Sequence, residues 1–366
     1  MKICVTGLRG MPNVMGGVES HCEELLPRIK ALQADLEIAL LARAPYVPRT
    51  RNVYKGITIV PIPSTHMMSL EPILGTLGGI AYARAISSNV VHIHAIGPAL
   101  LAPLARLLGL KVILTHHGRN YDHAKWGRFA KSMLRLGEVA GISSASAVIA
   151  VSESLADDLR TRFPRHAAKV VYIPNGVSDL NDERTADAED PIEKHELVPG
   201  QYIMAVGRLD PEKGFHVLLD AFEALTDERK LVIVGGADYQ TDYSRGLLAR
   251  AGPKVIFTGR QPRATLRRLY RHAGLFVLPS FNEGLPVAAL EAAAAALPII
   301  LSDIPANRDL RLPAENYFPV GDSKALSEKL RQPPGTYGVD ANDVCRRFDW
   351  DVAARETIQI YNAVSH

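Results

Sequence analysis

The sequence predicts an α/β protein made of two consecutive doubly wound domains. Its 366 residues exceed the roughly 250–300 that a single hydrophobic core usually serves. Short apolar runs rich in β-branched residues recur along the chain and alternate with stretches of helical periodicity. Strands that are apolar throughout are typical of parallel sheets buried on both faces. A polar, acidic stretch between Asn175 and Gly200 divides the series in two.

The first half carries seven predicted strands, with helical patterns between most of them. These strands are Lys2–Thr6, Glu37–Leu41, Ile57–Pro61, Val90–His94, Val112–Thr115, Ala147–Val151 and Val170–Ile173, and the helices include Val18–Leu32 and Pro98–Leu108. The second half repeats the alternation. Its strands are Tyr202–Val206, Leu231–Val234, Val255–Thr258, Leu275–Leu278 and Ile299–Leu301, and its helices include Phe215–Leu225, Pro262–His272 and Pro286–Ala296. We place the domain boundary at residues 176/177, with the second domain ending at 349.

Composition excludes several classes of protein. With 47% hydrophobic and 22% charged residues, the chain is neither disordered nor collagen-like. Its net charge of +3 is too even for a dedicated nucleic-acid binder. The three cysteines (Cys4, Cys22 and Cys345) are not grouped as metal ligands or as a disulfide framework. The sequence shows no leader-like start. The longest helix-like apolar region, Leu70–Ile86, is interrupted by charged residues and Pro72, so we predict no membrane span there. We therefore expect a cytoplasmic location.

Charge is distributed unevenly along the chain. Residues 1–176 contain 20 basic and 11 acidic residues, whereas the remainder contains 22 basic and 28 acidic ones. The first half therefore either faces an anionic partner or carries an ordinary scatter of solvated cations. Within it, residues 119–137 place Trp126, Phe129 and Gly137 on one helical face and Arg128 and Arg135 on another. This pattern fits a helix on an anionic membrane surface or, as we prefer, a helix packed on its own sheet.

Ligands of parallel sheets bind beyond the carboxyl ends of the strands, so the turns after strands are the candidate sites. The first turn ends in Gly16-Gly17, directly before a helix. Glycines there let backbone N–H groups approach a phosphate at the positive helix end. A plain tight turn explains the pair equally well, and the spacing does not match the dinucleotide-binding pattern G-x-G-x-x-G.

The turn after Tyr202–Val206 places two cations five residues apart. Arg208 can hold phosphate oxygens through two hydrogen bonds, and Lys213 adds a point charge. The alternative is that both cations pair with the neighbouring acids Asp210 and Glu212.

The most informative segment runs from Leu278 to Glu291. A buried strand ends, a loop presents Glu283, and Pro286 suits the first position of a helix. The N–H groups of Gly284 and Leu285 would then face an anion. Glu291 lies in an otherwise apolar helix and needs a partner, either the two hydroxyls of a sugar or ribose diol or a cation of the protein.

A histidine pair, His116-His117, ends a strand of the first half and precedes Gly118. Such a histidine can donate a hydrogen bond to a substrate hydroxyl or stabilise developing charge. Because neither a carboxylate nor a cysteine stands at ligand spacing, we predict no metal site. We interpret His92 and His94 as packing or hydrogen-bonding residues.

Taken together, these motifs resemble glycosyltransferase family 4, retaining enzymes of the GT-B fold that use nucleotide sugars. The resemblance rests on five motifs: Gly16-Gly17-Val18-Glu19, Ile173 to Val177, Gly207-Arg208 with Lys213-Gly214, Glu283 and Glu291 with seven residues between them, and Phe348 to Trp350. It implies two Rossmann-like domains facing across a cleft, with the last helix, 350–366, returning to the acceptor-side domain. The segment from Gly118 to Gly127 resembles a branch that makes bacterial cell-surface polysaccharides.

The resemblance also implies roles for individual residues. Arg208 and Lys213 would hold the donor diphosphate, assisted by backbone amides at Gly16, Gly17, Gly284 and Leu285. Glu291 would bind the ribose, Glu283 and His117 the donor sugar, and the backbone near Arg260 the base. Candidate acceptor contacts are Arg119, Tyr121 and Lys125. No metal or cofactor is expected.

The implied reaction transfers a sugar from a nucleotide-diphosphate sugar. Uridine is the most common nucleoside of such donors in the family, so we expect a UDP-sugar. The acceptor would be a lipid-linked or polysaccharide precursor, met by an enzyme that sits peripherally on anionic lipid of the inner membrane face. Two alternatives share the fold: a nucleotide-sugar 2-epimerase and a catalytically silent nucleotide-sugar-binding scaffold. A Rossmann oxidoreductase is disfavoured because the dinucleotide-binding pattern is missing.

Overall fold

A computed structural model describes residues 1–14, 16–64, 71–119, 121, 127–177, 190–226, 228–237 and 239–365. The chain divides into two compact units. The first unit comprises Met1–Gly176 with Asp349–His366, and the second comprises Val177–Phe348. Each unit is built on one largely parallel sheet with intervening helices. The predicted fold class, two doubly wound Rossmann-like α/β domains, is confirmed.

The sheet of the first unit has eight strands in the order β3-β4-β2-β1-β5-β6-β7-β8, and only β3 runs antiparallel to its neighbour. The strands are β1 (Lys2–Thr6), β2 (Glu37–Arg43), β3 (Asn52–Tyr54), β4 (Ile57–Ile62), β5 (Val90–His94), β6 (Lys111–His116), β7 (Ala147–Ala150) and β8 (Val170–Tyr172). The helices between them are α1 (Gly17–Leu32), α2 (Glu71–Ala85), α3 (Ala102–Leu107), α4 (Arg128–Ser144) and α5 (Glu153–Arg162).

The sheet of the second unit has six parallel strands in the order β11-β10-β9-β12-β13-β14. The strands are β9 (Tyr202–Val206), β10 (Lys230–Val234), β11 (Val255–Gly259), β12 (Leu275–Leu278), β13 (Ile299–Ser302) and β14 (Tyr317–Phe318). The helices are α6 (Pro191–Lys194), α7 (Phe215–Glu223), α8 (Asp242–Leu248), α9 (Arg263–His272), α10 (Val287–Ala294), α11 (Pro305–Arg308), α12 (Ser323–Leu330) and α13 (Ala341–Arg347).

The last helix, α14 (Trp350–Ser365), belongs to the first unit. Its buried face packs into the same apolar core as helix α1 and strand β1. The Tyr361 hydroxyl lies 2.8 Å from Nδ1 of His92, so the helix is also joined to β5 by a buried hydrogen bond. The first unit is therefore completed by the carboxyl-terminal end of the chain.

The strand register brings the candidate residues to one edge of each sheet. In the first unit, His94 at the end of β5 pairs with Thr115 of β6, one residue before the two histidines of the sequence motif. In the second, Val206 at the end of β9 pairs with Val234 at the end of β10. Because the strands are parallel, the turns that follow them gather at a common carboxyl edge.

Several elements differ from the sequence-based prediction. Strands β3 and β14 were not predicted, since three and two residues are too short to give a periodic signal. The predicted helix Pro98–Leu108 is a 3-10 turn, Pro98–Leu101, followed by the short α3. Pro286 precedes α10 as its N-cap residue and is not its first helical residue.

The predicted packed face of α4 is partly wrong. Phe129 is 80% exposed, whereas Gly137, Glu138 and Gly141 are buried. Nine residues correspond to about two and a half helical turns, so Phe129 points away from the side on which Glu138 lies. A side chain added at Gly137 would stand 2.2 Å from the Ile96 carbonyl oxygen, which shows how closely the buried side packs.

No helix in the described part of the chain is long and apolar enough to cross a membrane.

Candidate functional site

Two loops at the carboxyl edge of the second sheet pack directly against each other. Gly214, after β9, has a φ of 65°, and a Cβ there would lie 2.1 Å from the carbonyl oxygen of Pro279, after β12. The Phe281 N–H donates to the Glu212 carbonyl at 2.8 Å. Only glycine permits this backbone conformation and approach at the same position. The close contact brings the motif containing Lys213 against the loop containing Glu283.

Lys213 and Glu283 form an ion pair at this junction. The Lys213 Nζ lies 2.6 Å from Glu283 Oε1, and the two side chains are 21% and 10% exposed. The Ser280 hydroxyl donates to the same carboxylate oxygen at 2.7 Å. The structure therefore brings together two residues to which the sequence assigned separate contacts, diphosphate and sugar.

Arg208 lies on the same loop, with Nη2 3.5 Å from Asp210 Oδ2. Its side chain is 42% exposed, and at this distance the contact is a weak surface ion pair. The proposed pairing of the loop cations with the loop acids thus holds for Arg208, whereas Lys213 contacts the carboxylate of the neighbouring loop.

Glu291 lies on α10 beside the Tyr270 hydroxyl of α9. Burial, and then the neighbouring Glu291 carboxylate with its hydrogen bond, raise the pKa of Tyr270 well above its usual value. The same hydroxyl donates to the Ala288 carbonyl at 3.1 Å. Tyr270 is fully buried and holds the start of α10 in place, so it is a partner of Glu291 that the sequence did not reveal.

The remaining predicted donor contacts of the second unit lie on the same edge. Gly284 and Leu285 lie in the loop before α10, the latter buried. Arg260 directly follows β11, and its Nη2 donates to the Ala237 carbonyl at 3.2 Å. This side chain therefore supports the turn after β10, while the backbone of Arg260 stays at the sheet edge.

Gly16 and Gly17 lie at the amino terminus of α1 in the first unit. A Cβ at Gly16 would stand 1.9 Å from Glu19 Oε2, because that buried carboxylate folds back over the turn. Glu19 Oε1 accepts a hydrogen bond from the Arg9 N–H at 2.9 Å. Among the described residues, and apart from its chain neighbours and the backbone of its own helix, nothing lies within 4 Å of a Cβ added at Gly17, so the helix start is open at this residue.

His117 follows β6 and contacts other histidines. Its Nε2 lies 3.0 Å from His94 Nδ1, and its ring meets the His21 ring edge-on at 4.8 Å. Burial, and then the neighbouring histidines, lower the pKa of His117 well below its usual value. At neutral pH the residue is thus a neutral imidazole, able to offer either a donor or an acceptor to a ligand.

His116 has a different environment. Its Nε2 lies 3.0 Å from Glu138 Oε1, and both side chains are fully buried. Arg162 pairs with the second oxygen of Glu138. Although burial opposes it, hydrogen bonds from His116 and Arg162 lower the pKa of Glu138 to about 2. This network fixes His116 inside the unit and leaves His117 as the partly exposed member of the pair.

The predicted acceptor contacts lie in different environments. Tyr121 is buried, and its hydroxyl lies 3.3 Å from both oxygens of Glu138. Arg119 is at the surface, with Nη1 3.4 Å from Asp158. Lys125, like Trp126, lies outside the described residues.

Sequence comparison addresses the family directly. The family model described as Glycosyltransferase Family 4 matches residues 15–179, and that described as Glycosyl transferases group 1 matches residues 188–332. The chain belongs to glycosyltransferase family 4. The predicted family and the predicted class of enzyme, a glycosyltransferase, are thereby confirmed.

Individual relatives cover almost all of this family 4 glycosyltransferase. An uncharacterised glycosyltransferase of Methanocaldococcus jannaschii is 26% identical, over 99% of this chain and 98% of its own. A phosphatidyl-myo-inositol mannosyltransferase of Mycobacterium leprae is 26% identical, over 96% and 94%. Among solved structures, Anabaena HepE in complex with UDP and glucose shares 17% identity at a TM-score of 0.76, covering 99% and 100%. The last of these comparisons agrees with the GT-B fold.

Sequence reasoning missed the surroundings of His117. His21 stands four residues after Gly17 on the buried side of α1, and Asn175 was interpreted only as part of the interdomain stretch and of the motif Ile173 to Val177. Yet His21 Nδ1 lies 2.7 Å from Asn175 Oδ1, across 154 residues of sequence. A histidine on the buried side of a helix needs a hydrogen-bond partner, but the sequence does not show which residue supplies it.

Proposed function

We propose that this glycosyltransferase moves a sugar from a nucleoside-diphosphate sugar, a UDP-sugar, to a lipid-linked or polysaccharide acceptor in cell-surface polysaccharide synthesis, with retention of anomeric configuration. The observation that carries the proposal is the Lys213–Glu283 pair at the carboxyl edge of the second sheet. One relative by its name acts on phosphatidyl-myo-inositol, and one structural neighbour binds UDP and glucose. The first supports a lipid-linked acceptor, and the second supports a UDP donor.

The ion pair can serve both ends of such a donor. An ammonium group has three N–H donors, so Lys213 can keep Glu283 and still offer N–H groups to a phosphate. A carboxylate accepts several hydrogen bonds, so Glu283 can hold Lys213, Ser280 and hydroxyls of a sugar. Diphosphate and sugar would then meet adjacent atoms of one preformed pair.

Fixed donors would stabilise the leaving diphosphate. Arg208 and Lys213 supply positive charge, and the amides of Gly284 and Leu285 precede α10. Charge that develops on the diphosphate would be met by groups already in place, which is an efficient form of transition-state stabilisation. The proposed reaction accordingly requires neither a metal nor a cofactor, and the leaving phosphate itself would act as base for front-face attack.

The remaining residues would complete the binding site for the donor. Glu291, beside Tyr270, would accept hydrogen bonds from the ribose hydroxyls, and the backbone near Arg260 would meet the base. His117 would contact the donor sugar near its reacting carbon. Gly16 and Gly17 would add amides at the open start of α1. The surface residue Arg119 stays a candidate acceptor contact, as does Lys125.

Exposed apolar and basic side chains of the first unit are compatible with a lipid-linked acceptor. Helices α3 and α4 are joined by a hydrogen bond from Arg106 to the Ser144 carbonyl at 3.2 Å. Both expose large apolar side chains, with Leu107 87% exposed and Phe129 80% exposed. Exposed cations, including Arg128 and Arg135, lie on the same helix as Phe129. Apolar side chains among cations match an anionic bilayer surface, so we propose peripheral binding to anionic lipid of the inner membrane face.

Calorimetric titration tests the donor site. We would titrate UDP, GDP, dTDP and ADP into the purified protein with a chelator present. We expect UDP to bind. In Glu291→Ala, loss of hydrogen bonds to a charged group should weaken UDP binding about 10- to 100-fold, from about 1.5–3 kcal/mol.

The Glu283 variant separates binding from turnover. In Glu283→Gln, Lys213 loses a counter-charge, so UDP should bind equally well or more tightly, while hydrolysis of the UDP-sugar slows. Glu328→Ala, an exposed glutamate on α12, is the matched control and should leave both unchanged. Wild-type behaviour of both site variants would refute the assignment, and binding without any turnover would favour the silent scaffold.

A further inference from the structure

Three histidines from three separate elements of the first unit converge on one point. His21 comes from α1, His94 ends β5, and His117 follows β6. One ring nitrogen from each lies within 4.8 Å of the corresponding nitrogens of the other two. His21 and His94 are buried, and His117 is partly exposed. The proposed donor contact uses His117 alone, so His21 and His94 are left without a function.

The three rings are in direct contact. The His21 and His117 rings meet edge-on with their centroids 4.8 Å apart, and the His94 and His117 rings stack with their centroids 5.3 Å apart. A transition-metal ion binds a neutral imidazole through a ring-nitrogen lone pair, so the nitrogens of this cluster are potential ligands.

One lone pair is fixed by a second residue. His21 Nδ1 lies 2.7 Å from the Asn175 side-chain oxygen, which can only accept, so Nδ1 carries the proton. Nε2 of His21 then carries a lone pair. This atom is buried, and within the described residues it has no hydrogen-bond partner. A histidine whose second nitrogen donates to a carbonyl-type oxygen is the usual arrangement around a metal ligand.

The distances suit a tetrahedral cation after a small movement. Zinc–nitrogen bonds of about 2.0–2.1 Å place two ligand nitrogens about 3.4 Å apart. His94 Nδ1 and His117 Nε2 are 3.0 Å apart, close to this value. The separations in the group are all within 4.8 Å, so closing the widest of them needs a movement of at most about 1.4 Å. His117 is the partly exposed ring of the three, so an ion would enter from its side.

We propose that His21, His94 and His117 form a binding site for a transition-metal cation of the zinc type, with an open fourth position, and that its occupation inhibits the enzyme. Three imidazole ligands favour zinc, cobalt or nickel over magnesium, which prefers oxygen. Inhibition rests on the proposed function, because a metal bound to His117 would remove that ring from the donor sugar. The metal site itself stands on the histidine geometry.

Cobalt spectroscopy tests the site without any substrate. We would titrate Co²⁺ into the full-length protein freed of metal with a chelator, and record the visible absorption of tetrahedral cobalt. We expect one equivalent to bind and to be displaced by Zn²⁺, but not by Mg²⁺. The band should be lost in His117→Ala and His21→Gln and kept in His166→Ala, a partly exposed histidine of the same unit outside the cluster.

Two variants keep this test decisive. His117 is partly exposed, so its replacement should fold, which circular dichroism would verify; if His21→Gln unfolds, His117→Ala decides alone. Absence of the band in the wild type, or its persistence in His117→Ala, would overturn the site.

A turnover assay separates the site from its inhibitory role. We expect Zn²⁺ to slow hydrolysis of the UDP-sugar at least tenfold, a chelator to restore it, and Mg²⁺ to have no effect. His21→Gln should lose this sensitivity. Cobalt binding without zinc inhibition would overturn the inhibitory role, whereas inactivity in all conditions together with cobalt binding would count against the proposed function and leave the metal site supported.

Discussion

At the scale of single residues, burial lowers the pKa of several histidines of the first unit. Burial lowers the pKa of His21 to about 4 and that of His92 to about 3. His92 keeps its position through hydrogen bonds to Tyr361 and Thr115 at 2.8 and 2.7 Å. These rings gain their partners as neutral groups, which makes them sensitive to acid.

The sign of that sensitivity follows from proton uptake. In the unfolded chain a histidine takes up a proton near pH 6.5, whereas buried His21 and His92 do so only near pH 4 and 3. Their contribution to stability is complete above pH 6.5 and is lost as the pH falls toward 4. We expect the free energy of unfolding of the first unit to drop by about 1.4 kcal/mol per pH unit for each such histidine.

Tryptophan fluorescence can measure this drop in one unit alone, because Trp126 and Trp350 are the two tryptophans of the chain and both fall in the first unit. Urea unfolding at several pH values between 7.5 and 4.5 would give the slope of the free energy of unfolding against pH. His92→Asn, which removes one titrating ring, should reduce the slope by about one proton. An unchanged slope in this variant would contradict the assignment.

At the scale of elements, the junction between Gly176 and α14 holds the carboxyl-terminal helix in the first unit. A Cβ at Gly176 would lie 2.3 Å from the Trp350 backbone nitrogen, so any side chain there must displace the helix start. Gly176 thus has a packing reason that its place in the motif Ile173 to Val177 did not reveal.

We expect Gly176→Ala to destabilise the first unit by about 1–3 kcal/mol, as overpacking of a close contact does. The measurement is urea unfolding followed by tryptophan fluorescence. Gly97→Ala is the matched control, because within the described residues its added Cβ would only meet Leu134 Cδ2 at an ordinary 3.4 Å and its φ of −61° suits any residue. Equal stability of both variants would refute the role of the contact.

Elements of this fold were largely predictable, whereas contacts between distant residues were not. Buried parallel strands are continuous apolar runs, so β1, β5, β9 and β12 were predicted with the bounds that the structure has. The turn residues Arg208, Lys213 and Glu283 followed from chain order. The ion pair of Lys213 with Glu283 and the contact of His21 with Asn175 join residues 70 and 154 positions apart. A single sequence holds no signal for such pairs.

At the scale of the whole molecule, charge separates the two parts of the chain. Residues 1–176 hold 20 basic against 11 acidic residues, and the excess reverses in the remainder. The basic part also exposes Phe129 and Leu107. Each cation near an anionic bilayer contributes about 1 kcal/mol at most, so several cations and inserted apolar side chains must act together.

Sedimentation with lipid vesicles tests this surface. At low salt we expect vesicles with about 30% anionic phospholipid to retain the protein and neutral phosphatidylcholine vesicles to retain much less. Added salt should release the protein, because screening shortens the reach of surface charge to about 8 Å at physiological ionic strength. Phe129→Ser and Arg128→Glu should each lower retention several-fold. Val53→Ser replaces an apolar side chain that is 70% exposed on edge strand β3 of the same unit, and it should bind like the wild type. Equal recovery with neutral vesicles, or equal losses in Val53→Ser and Phe129→Ser, would show that this surface does not bind the bilayer.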